Sequence, residues 1–235
     1  MTSKRFRSFL YFFHIVACTI VFNQQSFAGT WTDAFEDDNT QGWEIINTRG
    51  EDAKWWINRG EAVCETFKPN TPSILATGEV AWRNYSFSCK AKLVKAKGEP
   101  ATVGIILHHE WEKFSFYVLR ILYPQKLVHI TKMSEAGTST LGEFDFAAKL
   151  DTWYELAASI DSRGKIKFQI DNVMFTAVDR DPIKNGKAGL MVVRAQARFD
   201  DVEITGTNIP NGGPGILPVE LNGKLAITWG ELKYQ

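Results

Sequence analysis

The stretch Lys165-Ile166-Lys167-Phe168-Gln169-Ile170-Asp171-Asn172-Val173-Met174-Phe175-Thr176-Ala177-Val178 decides the fold. Ile166, Phe168 and Ile170 alternate with Lys165, Lys167 and Gln169, a period of two that lines one face of a half-buried strand. Asp171-Asn172 then supplies two residues tolerant of positive φ, as a two-residue hairpin turn requires, and a second strand follows over 173–178. Asp161-Ser162-Arg163-Gly164 closes the preceding hairpin. Outward from this pair the same pattern fills the chain, predicting further strands over 31–36, 43–47, 54–58, 61–67, 86–95, 102–109, 114–122, 126–133, 153–161, 187–194 and 197–205. Nowhere do apolar residues hold a helical period for three turns. The expected fold class is therefore all-β, a two-sheet antiparallel sandwich.

The chain has 235 residues, 44% of them hydrophobic and 13% aromatic, with eight Trp and sixteen Phe, which excludes a disordered or low-complexity protein. Twenty-seven basic residues balance twenty-seven acidic ones, so binding to a phosphate backbone has no electrostatic support.

Residues 1–28 read as a secretory leader: Lys4, Arg5 and Arg7 form a cationic start, 9–22 an apolar run, and Ser26-Phe27-Ala28 a small-x-small cleavage site. The expected exported chain begins at Gly29 and is secreted or periplasmic. Ile15-Val16-Ala17-Cys18 resembles a bacterial lipobox, which would instead anchor the protein through a lipidated Cys18, although Thr19-Ile20-Val21-Phe22 continues the apolar run where a polar tether is expected. No later segment approaches the ~20 apolar residues of a spanning helix. Cleavage after Ala28 leaves 24 basic and 27 acidic residues, a net charge of −3.

Cys64 and Cys89 then remain in an oxidising compartment, where they can form one disulfide or stay as two buried thiols. The domain is expected over 29–207. Residues 208–235 follow as a Gly/Pro linker, Asn208-Ile209-Pro210-Asn211-Gly212-Gly213-Pro214-Gly215, and a short tail with an apolar patch at Leu225-Ala226-Ile227-Thr228-Trp229. The tail can be a sorting or docking element, or a last strand or turn folded on the sandwich.

The order of features goes further. Trp31-Thr32-Asp33-Ala34-Phe35-Glu36-Asp37 followed by Gly42-Trp43, Trp56-Ile57-Asn58-Arg59-Gly60-Glu61, Tyr85-Ser86-Phe87-Ser88, Val103-Gly104-Ile105-Ile106-Leu107-His108, Trp153-Tyr154-Glu155-Leu156, Lys187-Ala188-Gly189-Leu190 and Phe199-Asp200-Asp201-Val202-Glu203-Ile204 occur in that sequence. This ordered set resembles the concanavalin A-like jelly rolls of the laminin-G-like kind over about residues 31–206.

That family includes laminarinase-type glycosidases, whose Glu-x-Asp-x-(x)-Glu strand sets two carboxylates on one face about 5–5.5 Å apart. Glu143-Phe144-Asp145-Phe146-Ala147-Ala148 begins the pattern but has Ala at both positions open to the final Glu, and it reads as a polar strand edge. His108-His109-Glu110-Trp111-Glu112-Lys113 lacks the second His of a zinc-protease motif, since Lys113 stands there. The resemblance implies a concave sheet as the sugar-binding surface, and the candidate ligand residues are His108, Trp111, Tyr117, Arg120, His129 and Arg194; a solvated outer face is the plainer alternative.

It also implies a structural calcium held by the Asp200 carboxylate with oxygens from Glu36 and Gly60, Asp201 being the alternative carboxylate. A plain Asp pair guarding a strand edge is the alternative.

The expected function is a secreted, non-catalytic carbohydrate-binding or recognition module whose partner is an extracellular glycan. Two rivals remain: an enzyme similar to 3-keto-disaccharide hydrolases, which lack the laminarinase motif, and a structural or adhesive surface protein attached through its tail.

Overall fold

The computed structural model describes residues 28–47, 53–66 and 72–214. These form β1 (Ala28–Asp33), β2 (Trp43–Asn47), β3 (Ala53–Ile57), β4 (Ala62–Thr66), β5 (Ser73–Thr77), β6 (Tyr85–Ala96), β7 (Ala101–Glu110) and β8 (Ser115–Tyr123). They continue with β9 (Leu127–Ser134), β10 (Gly137–Asp145), β11 (Trp153–Ile160), β12 (Lys165–Ile170), β13 (Val173–Val178), β14 (Lys187–Val193) and β15 (Ala195–Thr207). Among the described residues no helix is long and apolar enough to cross a membrane. The expected leader lies outside them except for Ala28, the first residue of β1, as do Cys18 and the tail beyond Pro214.

The strands make two antiparallel sheets. One runs β13-β12-β11-β6-β15-β4-β3, with β1 also on β15, and the other runs β10-β9-β8-β7-β14-β5-β2. β15 pairs with β6 along one side, while β4 (from Gln196 to Phe199) and β1 (from Val202 to Thr207) share its other side. The hairpin that decided the class is present: Phe168 on β12 faces Phe175 on β13, and their rings lie 6.5 Å apart within the core. Asp161 Oδ1 accepts the Arg163 and Lys165 N–H groups and shapes the turn before it.

Thirteen strands were expected and fifteen are present among the described residues, β5 and β10 being the additions. β5 is buried along its whole length, so Ser73-Ile74-Leu75-Ala76-Thr77 shows no polar–apolar alternation. β10 is the opposite case, a mostly exposed strand at the edge of the seven-stranded sheet, in keeping with the edge reading of Glu143-Phe144-Asp145. The first strand ends at Asp33 rather than at residue 36, because Asp33 Oδ1 accepts the Phe35 N–H at 2.7 Å and Phe35 takes a left-handed φ of 54°.

The principal core fills the space between the sheets. A second apolar cluster, including Ile46, Ile74, Ile106, Phe116, Val118 and Met191, covers the outer face of the seven-stranded sheet. That sheet is thus apolar on both faces, and the site below is built on the outer one.

The Gly/Pro segment after β15 packs where free linker was expected. Gly212 forms a parallel bridge to Trp31, accepting the Thr32 N–H at 2.7 Å and donating to the Thr30 carbonyl at 3.0 Å.

Cys64 and Cys89 are separate buried thiols, and the disulfide weighed above does not form. Cys64 on β4 and Cys89 on β6 flank β15, which separates them sideways by two strand spacings, about 10 Å, and Cys64 is level with Leu93, four residues along β6 from Cys89, so the pair lies well beyond the ~7 Å Cα limit for a bridge. Burial raises both thiol pKa values, and both behave as small apolar side chains.

Candidate functional site

Two hollows lie on the outer face of the seven-stranded sheet. The first, about 260 Å³, is walled by Phe114, Phe116, Val118, Leu122, Met133, Met191 and Val193, with Arg120 and Arg194 as its charged side chains among the described residues. The second, about 330 Å³, is lined by Glu44, Val80, His109, Glu110, Trp111, Glu112 and Lys187. An aromatic stripe joins them: Trp111 meets Phe114 edge-on at 6.1 Å, Phe114 meets Phe116 at 5.5 Å, and Phe116 lies 5.1 Å from the His109 ring.

The six residues singled out as ligand groups divide between two faces. Arg120 and Arg194 come together in the first hollow. His129 sits beside Arg120 across the β8–β9 register and places Nε2 2.8 Å from Glu143 Oε2. Trp111 stands at the tip of the β7–β8 hairpin, 46% exposed. His108 and Tyr117 are not on this face: both are buried in the interior.

Tyr117 faces inward by ordinary alternation with Phe116 and Val118, and for His108 the reason is a β-bulge. The β7–β8 register shifts between Leu107 and Glu110, and His108 takes a left-handed φ of 54°. The extra residue turns His108 inward against Tyr85 and Tyr117 and brings His109 to the outer face, reversing simple strand parity.

Inside, these groups hold a strap. Tyr117 donates its hydroxyl to Asp179 Oδ2 at 2.7 Å and accepts the Ile183 N–H at 2.8 Å. Lys132 Nζ lies 2.9 Å from the same carboxylate oxygen, and Asp181 donates its N–H to Asp179 Oδ1. His108 Nδ1 meets the Ile183 carbonyl at 2.7 Å. Tyr85 accepts the His108 N–H and donates to the carbonyls of Gly186 and Lys187. Burial pushes the Asp179 pKa up, but its bonds from Lys132 and Tyr117 outweigh this and hold it below the usual carboxylate range. The network fixes residues 179–187 to the sheet; it closes the sandwich and is not open to a ligand.

Two acids of the second hollow, Glu44 and Glu110, are paired with lysines. Glu44 pairs with Lys187 at 2.6 Å and Glu110 with Lys113 at 2.8 Å. His109 is 1% exposed with no hydrogen-bond partner at either ring nitrogen, and burial drives its pKa down to about 4, Glu44 opposing the fall and Lys187 adding to it.

The positions expected to hold calcium meet at one end of the sandwich. The Glu36 carboxylate lies against Gly60, where an added Cβ would be 2.9 Å from its Oε1. Asp200 is raised above the ordinary range chiefly by burial, with Asp201 and Glu61 adding repulsion, and Asp33 is raised by burial and by Asp37 and Asp200. A bulge at Asp201, φ 48°, sends that residue out to Lys90 at 2.6 Å, so Asp200 is the carboxylate of the pair left toward the cluster. Among the described residues no group of three His, Cys, Asp or Glu side chains could hold a metal, so any ion here would depend on main-chain oxygens.

His109 was missed as an outer-face residue because parity counted through the bulge on β7 assigns it wrongly, whereas Phe114 shares its parity with Phe116, Val118 and Arg120 and could have been placed by counting. The Leu122, Met133, Met191 and Val193 wall carries no polar signal and reads as core.

This architecture is that of the concanavalin A-like jelly rolls. The carbohydrate-binding module CBM66 from Bacillus subtilis superposes with a TM-score of 0.59 at 16% identity, covering 69% of this chain and 94% of its own. A Bacillus licheniformis β-glucanase gives 0.58 at 12% identity over 76% of this chain and 98% of its own. The catalytic domain of a Thermotoga petrophila laminarinase gives 0.54 at 10% identity over 76% and 97%. No protein-family model and no curated protein matches the sequence.

Proposed function

We propose that this chain is an exported, non-catalytic carbohydrate-recognition module that binds an extracellular glycan along the outer face of the seven-stranded sheet. The observation that carries this reading is the aromatic stripe from Trp111 through Phe114 to Phe116, leading to Arg120 and Arg194. Aromatic faces stack on the C–H faces of sugars, and guanidinium groups donate to ring hydroxyls. The carbohydrate-binding and glycosidase neighbours support a sugar ligand. Against catalysis stand the Ala residues that end the Glu143-Phe144-Asp145 pattern and the lysines that occupy Glu44 and Glu110. Export rests on the leader-like residues 1–28.

A calcium ion pinning Asp200 to the main chain at Glu36 and Gly60 is part of the same reading. The crowded carboxylates supply hard oxygens and an excess of negative charge, only partly offset by Lys90, that a divalent cation would balance.

A glycan array with wild type and Trp111→Ala tests the assignment. A ring stacked on sugar contributes ~0.5–1.5 kcal/mol beyond area burial, so the variant should bind up to about tenfold more weakly with an unchanged melting temperature. New reducing ends released from a bound polysaccharide would make the protein an enzyme and defeat the non-catalytic reading.

A further inference from the structure

We infer that the Arg120 hollow recognises a carboxylate, so that the glycan bound on this face carries uronic acid residues. The inference rests on the carbohydrate reading above and specifies its ligand. Arg120 lies on β8 with Gly104 facing it on β7 and His129 on β9. An added Cβ at Gly104 would stand 2.9 Å from the Arg120 Cβ, so glycine leaves room for the arginine stem against the sheet.

The side chain is half-buried and its Nε is fully enclosed with no hydrogen-bond partner. No ion pair reaches any of its nitrogens among the described residues, whereas Lys132, Arg198, Lys90 and Lys187 are each paired with a carboxylate. Burial lowers the Arg120 pKa and no neighbouring charge compensates. A partly enclosed guanidinium without an anion carries a desolvation cost at its buried Nε, and the cost is relieved when a ligand supplies one.

The surroundings select the ligand's shape. Among the described residues the hollow's lining has two arginines and no acid, although the whole chain balances its charges. Arg194 donates to the Glu99 carbonyl and adds positive charge at the rim. Val118, Met191 and Val193 form an apolar wall, where a charged hydrogen bond is stronger than in water. A uronic acid ring matches both halves, with C–H edges for the wall and a planar carboxylate for the guanidinium fork. A neutral sugar's hydroxyls would leave the charge unneutralised.

The test is titration of the full chain with oligogalacturonate and oligomannuronate, each as free acid and methyl ester, beside a neutral glucan and decanoate. Wild type should bind at least one free acid about tenfold more tightly than its ester. Arg120→Met should bring the two within twofold, and Arg120→Lys, which keeps the charge without the fork, should fall between. Because acid and ester are compared on wild type itself, the result stands even if a variant folds poorly. Binding of the neutral glucan or of the esters with no preference for the acids overturns this inference and leaves the glycan reading intact. Absence of binding to every sugar overturns both, and binding of decanoate alone assigns the hollow to an aliphatic carboxylate and overturns the sugar.

Discussion

Gly104 on β7 faces Arg120 on β8 so closely that a methyl group on the glycine would lie 2.8 Å from the arginine Cα and 2.3 Å from the Leu119 carbonyl oxygen. Both contacts are to backbone, so no rotamer change relieves them. Gly104→Ala should therefore cost about 1–3 kcal/mol, the usual range for overpacking. A lowered midpoint in urea, with the same slope, checks this; an unchanged midpoint would mean that β7 and β8 separate without penalty.

Tyr117→Phe removes one hydroxyl that serves both the Asp179 carboxylate and the Ile183 N–H. Leaving two buried groups short of a partner should cost about 1–3 kcal/mol. Glycan affinity should stay at the wild-type value, since Tyr117 faces the interior. A loss of affinity at unchanged stability would return Tyr117 to the ligand surface.

Acid should weaken the fold before the carboxylates titrate. His109 ionises near pH 6.5 when unfolded and near 4 when folded, so between these values the unfolded chain binds more protons and stability falls with pH. The full effect is of order 3 kcal/mol, and His108, also lowered by burial, adds to it. His109→Phe keeps the contacts with Trp111 and Phe116 and should lose less melting temperature between pH 7 and pH 5 than wild type. Equal losses in the two proteins would assign the slope to other groups.

An ion bound only by the folded state stabilises it by mass action. Chelation should thus lower the melting temperature of wild type and leave Asp200→Ala unaffected. No change in wild type would remove calcium from the account, and the raised carboxylates at Asp33 and Asp200 would then stand as the result of burial with added repulsion.

Legibility followed burial. Phe168 and Phe175 could be paired by counting because β12 and β13 each bury one face and leave the other wet. β5, with both faces covered, carries no such contrast, and its partners β14 and β2 define it only in three dimensions. At the site, Arg120 and Arg194 stood out as charges among apolar strands, and the hollow's aliphatic wall did not stand out at all. His108 shows the remaining limit: one bulged residue exchanges inside for outside, and no composition rule announces where an extra residue will sit. The two cysteines failed as a pair for a topological reason, since β15 enters between strands that come early in the chain.

β15 is the last described strand, yet β6 lies on one side of it and β4 and β1 on the other. Thr30 and Asn211, joined by a hydrogen bond, are 181 positions apart in the chain. The eight-stranded sheet therefore has no central staple until the end of the domain has been synthesised. Closure on this scale places refolding in the slow range, milliseconds to seconds, typical of all-β topologies. Tryptophan fluorescence after dilution from urea should show that delay, and chains stopped before Ala195 should leave β1 and the β3–β4 pair without their neighbour.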